Sequence, residues 1–264
     1  MDFIGSLREN GVKNFIDKIN SLAKKYAVNN NVYYSVIPSK SYYINDNLKT
    51  PFDYKKMFKM LKDGITNAKY IDITSALTID DYYITDPHWK QEKLSKVVDT
   101  LGDTMNFDVT FTNYTYNIID NFIGQHGHNK ENFPKEELVY LTNSHTENTV
   151  VTHIESGKTL GVYDLDKLSS DAQYDMFLSG PSAIVTLKND KAKSDRELII
   201  FRDSYSCSLA PLLTESYKEI TLVDLRYVMS PMLDSYIKFE NKDILFIYND
   251  QIINNGEMLK VLIS

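Results

Sequence analysis

Three short, largely apolar runs in the last third of the chain constrain its fold most. They cover residues 198–201, 220–223 and 244–248. Each run is too short for a lone helix and has the length of a strand that is buried on both faces. The segment 206–216, between the first two runs, carries leucines at helical spacing. This alternation predicts an α/β domain with a parallel sheet, whose ligands bind at the carboxyl ends of the strands.

The first hundred residues show the same alternation. Amphipathic patterns predict helices within 12–26, 51–68 and 94–105, and strand-like runs occupy 32–37, 70–73 and 81–85. Pro51, at the first helical position after Thr50, marks the start of the second helix. At 264 residues, a single domain over 1–264 is the economical interpretation.

The middle of the chain, 108–184, is the least regular part. It is polar, rich in Asn and Thr, and without strong periodicity. We interpret it as a β-rich insertion or a lid over the functional site.

Composition excludes several classes of protein. The chain is 42% hydrophobic and 25% charged, as in ordinary globular proteins. Its formal net charge of −7, without a basic stripe of interleaved aromatic residues, argues against a nucleic-acid partner. A single cysteine, Cys207, excludes a disulfide scaffold and is predicted to be a packing residue. No cofactor-binding fingerprint is present.

The motif Asp86-Pro87-His88-Trp89 can supply a base and its orienting acid. It follows the strand-like run 81–85, and Pro87 favours extended geometry at Asp86. Residues i and i+2 of an extended chain point the same way, so Asp86 and His88 are predicted to share a face.

The second motif is Arg202-Asp203-Ser204-Tyr205, directly after the run 198–201. Ser204 is therefore predicted at a strand-to-helix turn, where backbone N–H groups stabilise negative charge. Pro211 predicts a short turn before a helix that begins near it.

Together the two motifs contain the groups of a serine hydrolase or acyltransferase. Ser204 needs a base to take its proton, His88 is the candidate base, and Asp86 would fix the tautomer of that imidazole. Tyr205 or Ser204 can offer a backbone N–H to an oxyanion, and the Gly180 turn can offer a second donor. A helix cap and a self-bonded Asp-x-His loop are the structural alternatives, and the residue types alone leave both open.

The first motif resembles a known family signature. Tyr83-Ile84-Thr85-Asp86-Pro87-His88-Trp89 is similar to the Y-x-x-T-D-x-H-W signature of the bacterial DHHW family. That family resembles the SGNH-hydrolase-like domain of alginate O-acetyltransferases. Segment 198–227 resembles the family's nucleophile block, and weaker matches lie at 36–40, 122–124 and 176–180. The resemblance thus covers roughly residues 30–250.

The resemblance implies a three-layer α/β/α, SGNH-hydrolase-like fold with a mainly parallel sheet. It also implies that Ser204, His88 and Asp86 form the catalytic triad of an esterase or O-acetyltransferase. The substrate would be an acetyl ester of a cell-surface polysaccharide, handled without a cofactor. We expect an extracellular or cell-surface location, with membrane contact only through an N-terminal anchor that this chain lacks. The alternative is a non-catalytic domain that binds a glycan or a protein.

Two departures from the family pattern affect the site. Pro87 replaces the first His of the family's Asp-His-His-Trp, and Pro181, which has no N–H, follows Gly180. If position 181 normally supplies an oxyanion donor, Ser182 or Arg202 must replace it.

Two further groups of residues complete the candidates. Arg226 either pairs with Asp224 or receives an anionic substrate group, and the sequence favours neither. Four histidines in the middle of the chain lack ligand spacing for a metal and are predicted to be exposed loop residues: His126, His128, His145 and His153.

Overall fold

The computed structural model describes residues 5–127 and 132–262. Its helices are α1 (Glu9–Tyr26), α2 (Lys40–Tyr43), α3 (Tyr54–Gly64), α4 (Ser95–Met105), α5 (Ser144–Asn148), α6 (Ser206–Leu213) and α7 (Asp250–Asn254). Its strands are β1 (Asn31–Ile37), β2 (Lys69–Ile71), β3 (Thr115–Phe122), β4 (Glu136–Thr142), β5 (Val150–His153), β6 (Lys158–Leu160), β7 (Ile184–Lys188), β8 (Glu197–Arg202), β9 (Glu219–Val223) and β10 (Asp243–Asn249).

The central sheet has the strand order β2-β1-β10-β8-β9-β7-β5-β6. The first five strands are parallel, and β7, β5 and β6 extend the sheet in antiparallel pairing. β10 lies in the middle of the parallel half, paired with β1 on one side and β8 on the other. The carboxyl ends of β1, β10, β8 and β9 therefore meet along one edge.

Both faces of this sheet are covered, as the side chains of β10 show. Ile244 and Phe246 pack into one hydrophobic core with α1 and α3, while Leu245 and Ile247 pack into a second core with α4 and α6. Burial on both faces of the sheet requires apolar residues at successive positions, as at 244–248 of β10. The predicted three-layer α/β/α arrangement with a mainly parallel sheet is confirmed.

Three local predictions are wrong. Helix α3 begins at Tyr54, and its N-cap is Asp53, which accepts the Lys56 N–H at 2.9 Å, so Pro51 precedes the helix instead of starting it. Residues 81–85 do not form a strand: Tyr82 makes one isolated bridge with Trp89, and bends fill the residues between them. Helix α6 begins at Ser206 and contains Pro211, instead of beginning near the proline. Pro211 is tolerated because α6 is short and only the Cys207 carbonyl loses a helical donor.

The middle segment divides between two places. β3 and β4 form a separate antiparallel pair, whereas β5 and β6 add to the edge of the central sheet. The segment thus includes β-structure, and its function as an insertion or a lid stays a prediction. No helix among the described residues is both long and apolar enough to cross a membrane.

Candidate active site

Ser204 lies in the turn between β8 and α6, and the preceding carboxylate fixes that turn. Asp203 accepts the Tyr205 N–H at 3.1 Å and the Asn249 N–H at 2.6 Å. Because Asn249 ends β10, this one side chain ties the serine turn to the neighbouring strand. Burial raises the pKa of Asp203, although these backbone donors oppose the rise.

The structure places the side chains of Asp86, His88 and Ser204 in one hydrogen-bonded row. His88 Nε2 is 2.7 Å from Ser204 Oγ, and His88 Nδ1 is 2.5 Å from Asp86 Oδ1. Asp86 and His88 are buried, and Ser204 is partly accessible. These distances are those at which a base can take a hydroxyl proton while a carboxylate orients it.

Asp86 is also the acceptor that shapes its own loop. Its Oδ1 accepts the His88 N–H at 3.1 Å, and its Oδ2 accepts the Gln125 N–H at 3.1 Å. Burial alone would raise the pKa of Asp86, but the His88 ring and the backbone donors outweigh it and hold the pKa below its usual value. The carboxylate is therefore ionised at neutral pH and suited to hold a proton on Nδ1.

Distant residues hold this loop in place. The buried Lys40 ammonium donates to the carbonyls of Tyr83 and Asp86, each at 2.8 Å. Glu136, the first residue of β4, accepts the N–H groups of Ile84 and Thr85 at 2.8 and 2.7 Å. The loop thus has little regular structure of its own and depends on long-range contacts.

Aromatic rings fix the plane of the His88 imidazole. Tyr174 stacks on it with ring centroids 3.9 Å apart and planes 4° apart. Ser208, in α6, accepts the Tyr174 hydroxyl at 2.7 Å and the Trp89 indole N–H at 2.9 Å. The imidazole is therefore held by packing as well as by Asp86.

A small pocket with a volume of about 20 Å³ lies at Ser204. It is lined by Tyr174, Asp175, Phe177, Gly180, Pro181, Arg202, Ser204, Cys207 and Arg226. This volume is close to what a single water molecule needs and lies far below the usual range for small-molecule sites, so the pocket leaves only a small opening at the Ser204 hydroxyl.

Arg202 carries a buried positive charge beside this pocket. Only 1% of its surface is exposed, and its bonds to the Asp203 carbonyl, the Cys207 sulfur and the Ser182 carbonyl are long, at 3.4, 3.4 and 3.5 Å. Its Nε has no partner among the described residues. Its Nη1 also lies 3.9 Å from Asp224 Oδ2, which is beyond hydrogen-bond distance. The guanidinium therefore has hydrogen-bonding capacity left for a negative charge that develops at Ser204.

Two of the other predicted donors, at Tyr205 and Gly180, are already engaged. The Tyr205 N–H donates to Asp203, and its hydroxyl donates to the Pro87 carbonyl at 2.8 Å. The Gly180 N–H donates to the Phe177 carbonyl at 3.4 Å, and Gly180 has a φ of +87°.

Arg226 forms the ion pair that was one of its two predicted alternatives. Its Nε and Nη2 donate to the two oxygens of Asp224 at 2.9 and 2.6 Å. The guanidinium still borders the pocket. In this arrangement its fork is occupied by a protein carboxylate.

Several site residues were missed by sequence reasoning. Three residues next to the row of Asp86, His88 and Ser204 lie 37 or more positions after His88 in the chain: Gln125, Tyr174 and Asp175. No local pattern marks them. Lys40 and Gly124 did carry a signal, because both fall within the weaker family matches at 36–40 and 122–124.

The histidines and the cysteine are placed as follows. His153 is buried and ends β5, and His145 is half-buried in α5, so the prediction of exposed loop positions is wrong for both. His126 lies in a turn, as predicted, but is half-buried and not exposed. His128 lies outside the described residues. Within 5–127 and 132–262, no three His, Cys, Asp or Glu side chains are grouped as metal ligands. Burial raises the pKa of Cys207, which keeps this thiol protonated.

No protein-family model and no curated protein sequence matches this chain. Solved structures do. A DHHW family protein from Eubacterium siraeum is 21% identical, with a TM-score of 0.78 and coverage of 96% of this chain and 89% of that one.

Two further structures show the same fold. Bacillus cereus PatB1 is 19% identical over 95% of this chain and 93% of its own, with a TM-score of 0.75. It has also been solved with a sulfonyl adduct. The O-acetyltransferase domain of Pseudomonas putida AlgJ is 11% identical over 94% of this chain and 84% of its own, with a TM-score of 0.55. The chain therefore has the SGNH-hydrolase-like fold of these proteins, and the predicted resemblance to the DHHW family is confirmed at the level of the fold.

Proposed function

We propose that this protein is a serine O-acetyltransferase or esterase that handles acetyl esters of carbohydrate through Ser204. The observation that carries the proposal is the continuous row from Asp86 through His88 to Ser204, with contacts of 2.5 and 2.7 Å. A non-catalytic binding domain has no need to hold an imidazole against a serine hydroxyl. The short distance therefore favours catalysis over the binding alternative.

In the first half-reaction, Ser204 Oγ attacks the acyl carbonyl carbon while His88 Nε2 takes the hydroxyl proton. The imidazolium that forms is stabilised by the Asp86 carboxylate. When the tetrahedral intermediate collapses, the acyl–oxygen bond breaks and the departing alcohol takes the proton from His88. The acetyl group is then held as an ester of Ser204.

In the second half-reaction, an acceptor hydroxyl gives its proton to His88 and attacks that ester. Ser204 leaves with its proton restored, and the acetyl group is on the acceptor. Water as the acceptor makes the protein an esterase, and a sugar hydroxyl makes it a transferase. The same three residues serve both outcomes.

The oxyanion of each tetrahedral intermediate needs donors, and we assign the Ser204 N–H and the Arg202 guanidinium. Pro181 has no N–H to offer, and the Tyr205 N–H is bonded to Asp203. Arg202 is buried beside the same pocket with an unpartnered Nε. A charged donor in a site shielded from water stabilises an oxyanion strongly.

Two of the structural neighbours support the reaction class. The AlgJ structure is that of an O-acetyltransferase domain. PatB1 has been solved with a sulfonyl adduct. Sulfonyl reagents modify activated nucleophiles, which is the chemistry proposed here for Ser204. An extracellular or cell-surface site of action stays a prediction from the family resemblance.

The test is p-nitrophenyl acetate turnover by the wild type and by Ser204→Ala, with intact-mass detection of a serine-directed phosphonate. We expect turnover to fall by more than about 10⁴-fold in Ser204→Ala and labelling to disappear. The matched control is Ser75→Ala, at an exposed serine in the turn after β2, which should keep both. Equal turnover and labelling in Ser204→Ala and wild type would rule out the assignment.

A further inference from the structure

A second, larger depression lies beside the Ser204 pocket along the same edge of the sheet. This groove has a volume of about 420 Å³ and is open to solvent. It is lined by His153, Glu155, Ser156, Pro181, Ser182, Ala183 and Tyr227. Pro181 borders both the groove and the Ser204 pocket. The still larger depression beside α1 shares no lining residue with the Ser204 pocket.

The fold explains why the groove and the nucleophile are adjacent. Ser204 follows β8, Tyr227 follows β9, Ala183 precedes β7 and His153 ends β5. These strands are consecutive neighbours in the sheet, in the order β8-β9-β7-β5. Ligands of α/β sheets bind along this edge, so a chain lying in the groove would reach Ser204.

Tyr227 gives the groove an exposed aromatic surface. Tyr227 is 52% exposed. The Arg226 guanidinium lies 5.5 Å from the centroid of its ring. Arg226 is in turn bonded to Asp224, so the ring is braced by an ion pair. A flat, rigid aromatic ring of this kind can pack against the apolar C–H face of a pyranose.

His153 contributes an unsatisfied polar atom. The residue is 9% exposed, and its Nε2 has no hydrogen-bond partner among the described residues. A buried ring nitrogen without a partner costs free energy that a ligand hydroxyl can recover. Burial lowers the pKa of His153, so the neutral ring is favoured and can accept from a hydroxyl or donate to one.

Glu155 places a carboxylate at the other side of the groove. It accepts the Ser182 hydroxyl at 2.7 Å and the N–H groups of Ala183 and Ile184. Although burial alone would raise the pKa of Glu155, these donors hold it below its usual value. Glu155 therefore places a negative charge on its side of the groove at neutral pH, and that charge disfavours a ligand carboxylate. The cation beside Tyr227, Arg226, is already paired with Asp224.

We propose that this groove binds a neutral pyranose unit of the acceptor polysaccharide and positions its hydroxyl toward Ser204. The inference rests on the proposed function for the transfer step, but binding itself does not require catalysis. Sugar hydroxyls match Glu155, Ser182 and the unpartnered nitrogen of His153, and the ring face matches Tyr227. The Glu155 carboxylate disfavours the carboxylates of a uronic acid chain.

The first experiment measures binding without chemistry. Ser204→Ala protein is titrated calorimetrically with cellopentaose, mannopentaose and N-acetylchitopentaose, and separately with pentagalacturonate. We expect at least one neutral pentasaccharide to bind at least tenfold more tightly than pentagalacturonate. Adding Tyr227→Ala should weaken that binding at least tenfold, whereas Tyr236→Ala, at a tyrosine with the same 52% exposure outside the groove, should change it less than twofold.

Glu155→Gln tests the charge. This change keeps a hydrogen-bond acceptor but removes the negative charge. The ratio of the Kd for pentagalacturonate to the Kd for the neutral pentasaccharide should therefore fall at least fivefold. The inference is overturned if no neutral pentasaccharide binds, if pentagalacturonate binds best, or if Tyr227→Ala and Tyr236→Ala have equal effects.

A second experiment separates this inference from the proposed function. With Ser204 present, the acetyl group of p-nitrophenyl acetate is followed to water or to the bound pentasaccharide. Tyr227→Ala should raise the KM for the pentasaccharide at least tenfold and thereby shift the product toward free acetate. A wild type without turnover or labelling argues against the proposed function, and the calorimetry then still decides the groove.

Discussion

At the scale of single residues, the Asp86 carboxylate accepts three hydrogen bonds within the site. One oxygen accepts both the ring N–H and the backbone N–H of His88, and the other accepts the Gln125 N–H. The same carboxylate therefore shapes the loop and chooses the tautomer of the base. Its two functions can be separated by a substitution that keeps the shape and removes the charge.

Asp86→Asn is expected to lower kcat for p-nitrophenyl acetate by about 10⁴-fold with little change in fold. The amide can donate to Nδ1, which would move the ring proton to Nε2, where it blocks acceptance of the serine proton. Steady-state kinetics and the ¹⁵N shifts of the His88 ring measure both effects. Asp99→Asn, at an exposed position of α4, is the control, and a loss of less than tenfold in Asp86→Asn would contradict this assignment.

At the scale of elements, the loop that carries Asp86 and His88 is shaped by its neighbours. Gly124 follows β3, and its N–H donates to Thr85 Oγ1 at 2.9 Å. A Cβ on Gly124 would lie 2.3 Å from Asp86 Cβ and 2.5 Å from the Thr85 carbonyl. Such distances require the backbone to move, and not just a side chain.

Gly124→Ala is therefore expected to destabilise the protein by about 1–3 kcal/mol and to lower kcat, because the displaced loop moves His88 from Ser204. Urea unfolding and p-nitrophenyl acetate kinetics test the two effects. Gly161→Ala is the matched control, since a Cβ there meets nothing within 4 Å and its φ is not positive. Equal stability and kcat in the two variants would show that the loop tolerates the displacement.

The same loop shows what the sequence could and could not predict. The strands β8, β9 and β10 were predictable because burial on both faces requires continuous apolar runs. Asp86 and His88 do meet, but the predicted reason was wrong: they meet through an aspartate-centred turn, not as i and i+2 of a strand. Tyr174 and Gln125 reach the site through long-range packing, for which a single sequence has no periodic signal.

At the scale of the whole molecule, the carboxyl edge of the parallel sheet concentrates buried acids. Asp203 follows β8, Asp224 follows β9 and Asp250 follows β10, and all three are buried. An acidic group in this environment costs folding free energy unless donors satisfy it. The arrangement that forms the site therefore also makes the stability of the protein depend on pH.

Asp250 should account for a distinct part of that dependence. Its Oδ2 accepts from the Ser39 N–H, the Ser39 hydroxyl and the Tyr54 hydroxyl at 2.9, 3.0 and 3.0 Å, and its Oδ1 has no partner among the described residues. Burial raises its pKa from 3.8 to about 6, against the effect of these donors. Between about pH 4 and pH 6 the unfolded chain therefore loses this proton while the folded protein keeps it. Stability falls across that interval as the pH rises.

The difference between a pKa of 3.8 and one of about 6 corresponds to about 3 kcal/mol. Above about pH 6 the ionised Asp250 lowers the free energy of unfolding by this full amount. Asp250→Asn removes the ionisation and keeps an acceptor for Ser39 and Tyr54. The stability of this variant relative to wild type should thus increase by about 3 kcal/mol between pH 4 and pH 7. Urea unfolding of both proteins at half-unit pH steps measures the difference in their stability at each pH. Asp86 and the other acids contribute equally to both proteins, so their contributions cancel in that difference. A difference that stays constant with pH would mean that Asp250 ionises alike in the folded and unfolded states.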